Sequence, residues 1–252
     1  MNLGDKSVVV TGGSRGLGLG LVEALVDQGA RVRVVARGAG DLEAVRARLG
    51  VETIPADVTD AAAARRILAE VRPEILVLNA GATPPMGPID QMSWEDFTHT
   101  WDTDVKAGLH WMQAALNLPL APGSRVLVGS SGAAQGGSPL SGGYGGAKRM
   151  LWMMARYASR VSREKGLGIR FQAIVPLQMV GGTGVGGAGS RAYARADGIE
   201  QEAFLARFGA PMPPRLFGEY VVQVLNDPQY DEALALGLKG DSGITMLERE
   251  AA

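Results

Sequence analysis

The chain has 252 residues and no cysteine, which excludes disulfides and thiolate catalysis. Its net charge of −1 gives no overall positive field that would favour nucleic acid or an anionic membrane. Its two histidines, His99 and His110, are too few for a typical histidine metal centre, so we expect a structural role for both and no bound metal. The N-terminus MNLGDKSVVV lacks the pattern of a signal peptide and no run of about 18 apolar residues marks a membrane span, so a soluble, cytoplasmic protein is expected.

The predicted elements alternate between strand and helix from the N-terminus onward. Apolar runs predict strands at residues 7–11, 31–36, 51–55, 75–78, 125–129 and 169–175. Helical spacing predicts helices at residues 17–28, 41–49, 61–71, 94–118 and 142–165, with Ser93 as the N-cap of the fourth. This alternation predicts right-handed crossovers between the strands.

Beyond Pro176 the regular alternation ends. The stretch GGTGVGGAG at residues 181–189 predicts a flexible loop that holds no packed element. Helices are expected around 199–208 and 214–226, with a short last strand near 233–236. We expect an α/β, single-domain Rossmann fold over residues 1–252, with a doubly wound, mostly parallel, seven-stranded sheet and helices on both faces. Residues 1–180 would form the cofactor-binding and catalytic core, and residues 179–226 the substrate loop and lid.

The first strand runs directly into the turn Thr11-Gly12-Gly13-Ser14-Arg15-Gly16-Leu17-Gly18, where a helix begins. Backbone N–H groups and the positive end of a helix dipole at such a turn favour an anion. Gly12 permits the turn, Gly16 lets a pyrophosphate approach the backbone, and Gly18 lets the helix pack close to the sheet. The alternative is an ordinary glycine-rich turn between a strand and a helix.

The spacing T-G-x-x-x-G-x-G resembles the nucleotide motif of the classical short-chain dehydrogenase/reductase family, and the resemblance extends over roughly residues 5–180. Asn79-Ala80-Gly81 matches the family's N-A-G segment, and Tyr144-Gly-Gly-Ala-Lys148 matches its Y-x-x-x-K. The resemblance implies an oxidoreductase that transfers hydride between a nicotinamide dinucleotide and a carbonyl or alcohol. Asp57 would contact the adenine. The cofactor-binding residues implied are Gly12, Ser14, Arg15, Gly16, Leu17, Gly18, Arg37, Asp57, Val58, Asn79, Ala80, Gly81, Tyr144, Lys148 and Pro176.

The end of the second strand indicates which dinucleotide binds. That strand ends Val35-Ala36-Arg37, without the carboxylate that holds a ribose 2′-hydroxyl in NAD sites. Arg37, together with Arg15 and Ser14 in the glycine turn, would instead pair with a 2′-phosphate. We therefore expect NADP(H), the alternative being that both arginines are merely solvated surface residues.

Three side chains are candidates for the chemistry. Hydride transfer to a carbonyl leaves an alkoxide that needs a proton, and Tyr144 is the candidate general acid and base. Lys148, four residues on, lies on the same helix face, and its charge favours the phenolate. Ser131, at the end of the fifth strand, would donate to the substrate oxygen, while the neighbouring Ser130 is expected inside the strand end. Taken alone, a Tyr and a Lys at this spacing are more commonly a helix surface pair.

The chain departs from the family pattern at three places. Asp104 stands where the family commonly has an Asn that holds a water in a relay from the Lys. We predict that Asp104 supports a working relay with an altered pH optimum, the alternative being a backbone role in a helix irregularity. Leu177 replaces the glycine that follows Pro176, and Thr183 falls late for its role toward the nicotinamide amide. The segment at 240–243 is only similar to the D-G-G near the family's C-terminus.

The substrate is expected to be a mainly apolar carbonyl or secondary alcohol, as for a ketoreductase or alcohol dehydrogenase. The candidate lining residues are Met179, Val180, Val185, Tyr193, Phe204 and Leu205, with Pro84, Pro85, Met86 and Gln135 as a further wall. The alternative, at least as well supported for each residue, is that it packs within the loop and helices and does not contact the substrate. Two other classes remain open, a cofactor-sensing regulator without turnover and a lyase or isomerase on the same scaffold.

The two longest predicted helices carry more apolar residues than one sheet face needs. These residues are Trp101, Leu109, Trp111, Met112, Leu151, Trp152, Met153 and Met154. In the resembled family the corresponding helices form a dimer interface. We therefore predict a homo-oligomer, either a dimer or a homotetramer.

Overall fold

The structure is a computed structural model that describes residues 3–207 and 210–249. The strands are β1 (Ser7–Thr11), β2 (Arg31–Ala36), β3 (Glu52–Pro55), β4 (Ile75–Leu78), β5 (Arg125–Gly129), β6 (Arg170–Pro176), β7 (Ala233–Lys239) and β8 (Gly243–Arg249). The helices are α1 (Gly16–Asp27), α2 (Ala39–Leu49), α3 (Ala61–Val71), α4 (Trp94–Thr100), α5 (Lys106–Asn117), α6 (Ala133–Gly136), α7 (Tyr144–Glu164), α8 (Gly184–Ala196), α9 (Gln201–Ala206) and α10 (Pro214–Asn226). No helix within the described ranges is both long and apolar enough to cross a membrane.

All eight strands form one sheet in the order β3-β2-β1-β4-β5-β6-β7-β8, parallel throughout except for the antiparallel pair of β7 and β8. Thr11 lies beside Leu78, and Leu78 lies beside Val128, so the carboxyl ends of β1, β4 and β5 are level. The strand order changes direction between β1 and β4. Open α/β sheets bind ligands at such a point, outside the carboxyl ends of the strands.

The core has one apolar cluster on each face of the sheet. On one face Trp111 and Phe171 lie among side chains from α3, α5 and α7. On the other face Leu21 and Phe217 lie among side chains from α1, α2 and α10. The central strands are buried on both faces, which explains why they are continuous apolar runs in the sequence. The predicted doubly wound, mostly parallel sheet with helices on both faces is confirmed.

The predicted count of seven strands is wrong, because the chain continues into an eighth. A turn at 240–242 returns the chain from β7 into β8, and Gly243 takes the positive φ of +73° that starts the returning strand. Leu247 packs against one core cluster and Met246 against the other. Since β8 is only half-buried and ends in Glu and Arg, its apolar pattern is weak in the sequence.

The expectation of a flexible loop at 181–189 is also wrong, because α8 begins at Gly184. The Thr183 side chain caps this helix by accepting a hydrogen bond from the Gly186 N–H at 3.0 Å. Ser190 and Ala194 bury the inner face of the helix. The cap and this packing outweigh the low helix propensity of the glycines, which sequence reasoning took as decisive.

The long helix predicted over 94–118 is interrupted by a π-helical turn at Trp101–Val105, between α4 and α5. The short α6 was not predicted. The helix predicted around 199–208 is α9, and its last predicted residue lies outside the described ranges. π-Helical turns are frequent at functional sites, and this one contains Asp104.

Candidate cofactor and active site

One large cavity, of about 770 Å³, lies at the carboxyl edge of the sheet. It is lined by all of the predicted catalytic and cofactor-binding residues except Gly18. The fold therefore brings together the glycine turn, the ends of β2, β4, β5 and β6, and the start of α7. Sequence positions more than 160 apart face one space, as expected for a crevice at the point where the strand order changes direction.

The glycine turn is shaped by close backbone contacts. A Cβ added to Gly12, which has φ of +67°, would lie 2.7 Å from the Ala80 Cα. A Cβ on Gly18 would lie 2.2 Å from the Gly12 carbonyl oxygen. Gly18 thus lies behind the cavity wall and lets α1 approach the turn, so it contributes by packing.

The Asn79-Ala80 segment supports this turn from the neighbouring strand. The Thr11 hydroxyl accepts hydrogen bonds from the backbone N–H groups of Asn79, at 3.0 Å, and Ala80, at 3.2 Å. The Asn79 side-chain amide donates to the Gly12 carbonyl oxygen at 3.3 Å. Helix α1 begins at Gly16 on the cavity wall, and its N-cap residue, Arg15, makes no capping hydrogen bond with its side chain. These uncapped N–H groups suit the pyrophosphate of a dinucleotide.

At its other end the cavity is lined by charged side chains that follow β1, β2 and β3. Arg15, Arg37 and Asp57 all line it. The backbone N–H and hydroxyl of Thr59 donate to Asp57, and together with the charges of Arg37 and Lys106 they hold the pKa of Asp57 below its ordinary value. An ionised Asp57 is a fixed acceptor for an exocyclic amino group.

Sequence reasoning missed Asp41, which also lines this end of the cavity. It lies in the first turn of α2, and its Oδ2 would lie 3.3 Å from a Cβ added to Gly38. The signal was present, because an acidic residue soon after the second strand is the feature that marks a ribose contact. Asp41 bears directly on the choice between the two dinucleotides.

The candidate catalytic side chains lie at the junction of β5 and α7. The Lys148 ammonium is 5.7 Å from the centroid of the Tyr144 ring. The Ser131 hydroxyl accepts a hydrogen bond from the Ala133 N–H at 3.3 Å. Ser130 is buried, and its hydroxyl donates to the Lys148 carbonyl oxygen at 2.8 Å, which ties the end of β5 to α7. Ser130 therefore anchors the helix, whereas Ser131 lines the cavity and its hydroxyl acts as an acceptor in this bond.

A buried ion pair joins Lys148 to Asp104. The Nζ and Oδ2 atoms are 2.9 Å apart, and the two side chains are 9% and 0% exposed. The other Asp104 oxygen accepts a hydrogen bond from the Ala82 N–H at 2.8 Å. Burial alone would lower the pKa of Lys148, but the charges of the Asp104 carboxylate and of the Tyr144 phenolate raise it by more, so the pKa lies above its ordinary value. Lys148 is therefore a cation at neutral pH.

The N-A-G segment leaves room for this pair. A Cβ added to Gly81 would lie 2.7 Å from Oδ2 of Asp104. The π-helical turn places the carboxylate between that segment and α7. Asp104 thus acts on the candidate site through Lys148 and through the backbone of Ala82.

The substrate end of the cavity is formed by the segment after β6 together with α8 and α9. Of the predicted lining residues, Met179, Val180, Val185, Tyr193 and Phe204 line it, whereas Leu205, Pro84, Pro85, Met86 and Gln135 do not. Leu205 follows Phe204 on a different face of α9, Gln135 points to solvent, and the segment after Pro84 turns away to pair at Gly87 with Ser141. Sequence reasoning missed the polar lining residues Thr83, Ser138 and Gln178 and the apolar Leu177 and Phe217.

The structure also gives Thr183 and His110 local partners. Thr183 lines the cavity, but its hydroxyl both caps α8 and donates to the Val180 carbonyl oxygen at 3.0 Å. The His110 ring contacts the Thr59 carbonyl oxygen at 2.9 Å through Nδ1. Among the described residues, no group of three His, Asp or Glu side chains could hold a metal ion.

Comparison with known proteins identifies similar chains. The family model described as short chain dehydrogenase matches residues 6–186. A short chain dehydrogenase/reductase named AacuD, from Aspergillus aculeatus, is 34% identical over 57% of this chain and 54% of its own length. The L-xylulose reductase of Homo sapiens is 33% identical over 51% of this chain and 54% of its own. The chain thus spans about half the length of each of these two relatives.

Solved structures resemble almost the whole chain. A short chain dehydrogenase from Burkholderia cenocepacia in complex with NADP has a TM-score of 0.77 and 25% identity, and covers 96% of this chain and 99% of its own. An NAD⁺-bound xylitol dehydrogenase has a TM-score of 0.83 over 95% of this chain and 100% of its own. At 19% identity, the second likeness concerns the fold alone.

Proposed function

The chain belongs to the short-chain dehydrogenase family of oxidoreductases, and from that premise we propose that it is an NADP(H)-dependent enzyme that interconverts a carbonyl and an alcohol. The observation that carries the proposal is that Ser131, Tyr144 and Lys148 line the same cavity as the glycine turn and the two arginines. A dinucleotide lying along that cavity would reach from the arginines to the tyrosine. We further propose that residues 1–252 form a single domain. The cytoplasmic location stays a prediction.

The residues present fit a dinucleotide. The uncapped N-terminus of α1 and the glycine turn would hold the pyrophosphate, Asp57 and Val58 the adenine, and Lys148 the nicotinamide ribose. Arg15 and Arg37 would hold a 2′-phosphate, and the backbone after Pro176 the nicotinamide amide. When bound, the nicotinamide supplies or accepts the hydride.

The protein's own residues move the proton. In reduction, the Tyr144 hydroxyl gives its proton to the oxygen of the substrate carbonyl as negative charge develops there. Ser131 donates a hydrogen bond to the same oxygen and stabilises that charge. The Lys148 cation, held by Asp104, stabilises the phenolate left on Tyr144. In oxidation the same phenolate removes the proton of the alcohol.

We predict that Arg37→Asp weakens NADPH binding by about 1–3 kcal/mol and moves the preference toward NADH, because a carboxylate repels the 2′-phosphate and accepts from a 2′-hydroxyl. Fluorescence titration of both cofactors measures the change. Asp41→Asn is the matched control at the same end of the cavity. If wild type prefers NADH and Asp41→Asn weakens NADH, the dinucleotide is NAD(H) and this part of the proposal is wrong.

One observation favours a second candidate, a cofactor-sensing regulator without turnover. The Lys148 ammonium is engaged by Asp104, and a lysine withdrawn from the ribose would leave binding without catalysis. NADPH oxidation with a panel of ketones, aldehydes and quinones separates the two. Net consumption supports the enzyme, tight NADPH binding without consumption supports the regulator, and product formation without net consumption supports a lyase or isomerase.

We also propose that the chain associates with itself, and expect light scattering at micromolar concentration to give a multiple of the monomer mass. The apolar surplus is smaller than predicted, because Trp111, Met112, Leu151, Trp152 and Met154 are buried within the chain. Leu109 on α5 and Tyr157 on α7 remain 44% and 46% exposed.

The matched variants for this prediction are Leu109→Arg and Leu118→Arg, on the same helix and at its end, with similar exposure. The first should reduce the mass and the second should not. A monomeric wild type would contradict the proposed association.

A further inference from the structure

One face of α8 forms a wall of the cavity at its substrate end. Val185, Gly189 and Tyr193 are spaced four residues apart, so they lie in one stripe along the helix, and all three line the cavity. A Cβ added to Gly189 would meet no atom within 4 Å. The stripe therefore has a gap at Gly189, between the side chains of Val185 and Tyr193, that opens into the cavity.

The far side of this gap is bounded by two parallel aromatic rings. The Tyr193 and Phe204 rings have centroids 5.8 Å apart and planes within 7° of each other. The Tyr193 hydroxyl lies 2.9 Å from the Ser138 hydroxyl and accepts a hydrogen bond from the Leu140 N–H at 3.2 Å. Because both the ring and the hydroxyl have fixed partners, this wall is flat and held in place. Ser138 and Leu140 belong to the segment that joins Ser131 to Tyr144, so the wall adjoins the candidate catalytic side chains.

Several polar side chains of the substrate end already have partners within the protein. Gln178 donates to the Ala210 carbonyl oxygen at 3.0 Å and accepts from the Gly240 N–H at 2.6 Å. The Thr183 hydroxyl caps α8, and the Ser138 hydroxyl faces Tyr193. A substrate with a hydroxyl on every carbon would have to compete with these bonds or bury its hydroxyls without partners, which is costly.

We propose that the gap at Gly189 receives a flat, bulky apolar group of the substrate, so that the chain acts on aryl ketones and secondary aryl alcohols in preference to open-chain ketoses. Gly189 is then a residue that determines specificity, because any side chain there would occupy the space of the aryl group. This inference rests on the proposed carbonyl–alcohol chemistry of the same cavity. It separates the chain from relatives such as L-xylulose reductase, whose name specifies a ketose.

The test compares Gly189→Leu with Gly187→Leu. Gly187 is on the same helix but does not line the cavity, and the atom nearest to a Cβ there would be Nη1 of Arg191, at 3.2 Å. Leucine has a higher helix propensity than glycine, so neither variant is expected to unfold α8. Steady-state kcat/KM is measured with NADPH and three carbonyl probes, namely 2-acetylnaphthalene, 2-butanone and L-xylulose.

Wild type should use 2-acetylnaphthalene better than L-xylulose. Gly189→Leu should lower kcat/KM for 2-acetylnaphthalene by about tenfold or more, since filling a pocket excludes a large group. Its kcat/KM for 2-butanone should stay within about threefold of the wild-type value. Gly187→Leu should leave both within about threefold. A wild type that prefers L-xylulose, or a Gly189→Leu variant that affects both ketones equally or neither, overturns the inference.

Failure of the proposed function would look different. If wild type oxidises NADPH with none of the three probes, the proposed chemistry fails. Calorimetric titration of 1-(2-naphthyl)ethanol into the NADP⁺-loaded protein then tests separately whether the gap at Gly189 binds an aryl group. Binding that is lost in Gly189→Leu and kept in Gly187→Leu supports an aryl-binding gap at Gly189. Equal binding by all three proteins, or no binding by wild type, overturns it.

Discussion

Replacing Tyr144 with phenylalanine is expected to lower kcat for NADPH-dependent ketone reduction by about 10²–10⁴, because the variant has no proton to give to the substrate oxygen. The ring would remain in place, since the Tyr144 side chain is buried at the start of α7. NADPH binding, measured by fluorescence titration, should change little. A fall in kcat without a loss of cofactor affinity would mark the hydroxyl as the group that transfers the proton.

The matched control is Tyr157→Phe, which removes a phenol hydroxyl from the same helix at a position 46% exposed. It should retain the wild-type rate. If Tyr144→Phe turns over ketones as fast as this control, the proposed proton transfer is wrong, even where the cofactor is correctly identified.

Replacing Asp104 with alanine is expected to lower the free energy of unfolding by about 3–5 kcal/mol at neutral pH, because Lys148 would be left as a buried cation without its partner. Urea unfolding of the protein without cofactor measures this loss. Asp104→Asn separates the two contacts of the residue, since an amide oxygen can still accept from the Ala82 N–H. Asp104→Asn should therefore lose less unfolding free energy than Asp104→Ala. The loss that remains in Asp104→Asn measures the contribution of the negative charge.

The pH dependence of this effect has a definite sign. In wild type the pKa of Lys148 is raised above its ordinary value of 10.5, so the stabilisation is fully present below that pH and is lost as pH rises through the folded-state pKa. Without Asp104, burial is opposed less and the pKa of Lys148 falls. The unfolded chain then binds the proton more tightly than the folded chain does, and the stability of the variant rises with pH toward 10.5.

The difference in stability between wild type and Asp104→Ala should therefore be largest near neutral pH and should shrink as the pH rises. A small difference would mean that the ion pair contributes little to folding. A large difference that does not change with pH would mean that the loss comes from the hydrogen bond to Ala82 and not from the charge. Wild type, Asp104→Asn, Lys148→Met and the double variant Asp104→Asn/Lys148→Met form a thermodynamic cycle. This cycle isolates the interaction free energy between the two side chains.

The sequence predicts most of the sheet because its central strands are buried on both faces. Runs such as Ile75–Leu78 carry that burial as an uninterrupted apolar pattern, and the glycine turn after β1 has a spacing that few other structures require. Local patterns of this kind are readable without tertiary contacts. The predicted cofactor residues, all but Gly18, line one cavity, and their roles toward a cofactor stay a prediction.

What the sequence does not predict depends on contacts between distant segments. Helix α8 forms at a glycine-rich stretch because Thr183 caps it and because Ser190 is buried and bonded to Gln201 of α9. The five glycines between 181 and 187 hide this helix from any local pattern in the sequence. The ion pair of Asp104 with Lys148 joins residues 44 positions apart. The family resemblance places Asp104 near Lys148, but no local pattern predicts their direct contact. The Tyr193–Ser138 contact was missed for the same reason. Asp41 is different, because its signal, an acidic residue soon after the second strand, was present in the sequence.

The close approach of Gly81 to Asp104 has a consequence for how this site can change over generations. Alanine at 81 would collide with the Asp104 carboxylate. Removal of that carboxylate would leave Lys148 buried without its charge partner. Exchanges at positions 81, 104 and 148 are therefore expected to be epistatic, with each tolerated or harmful according to the residues at the other two. A lineage that alters one of them is constrained in the order in which the others can follow.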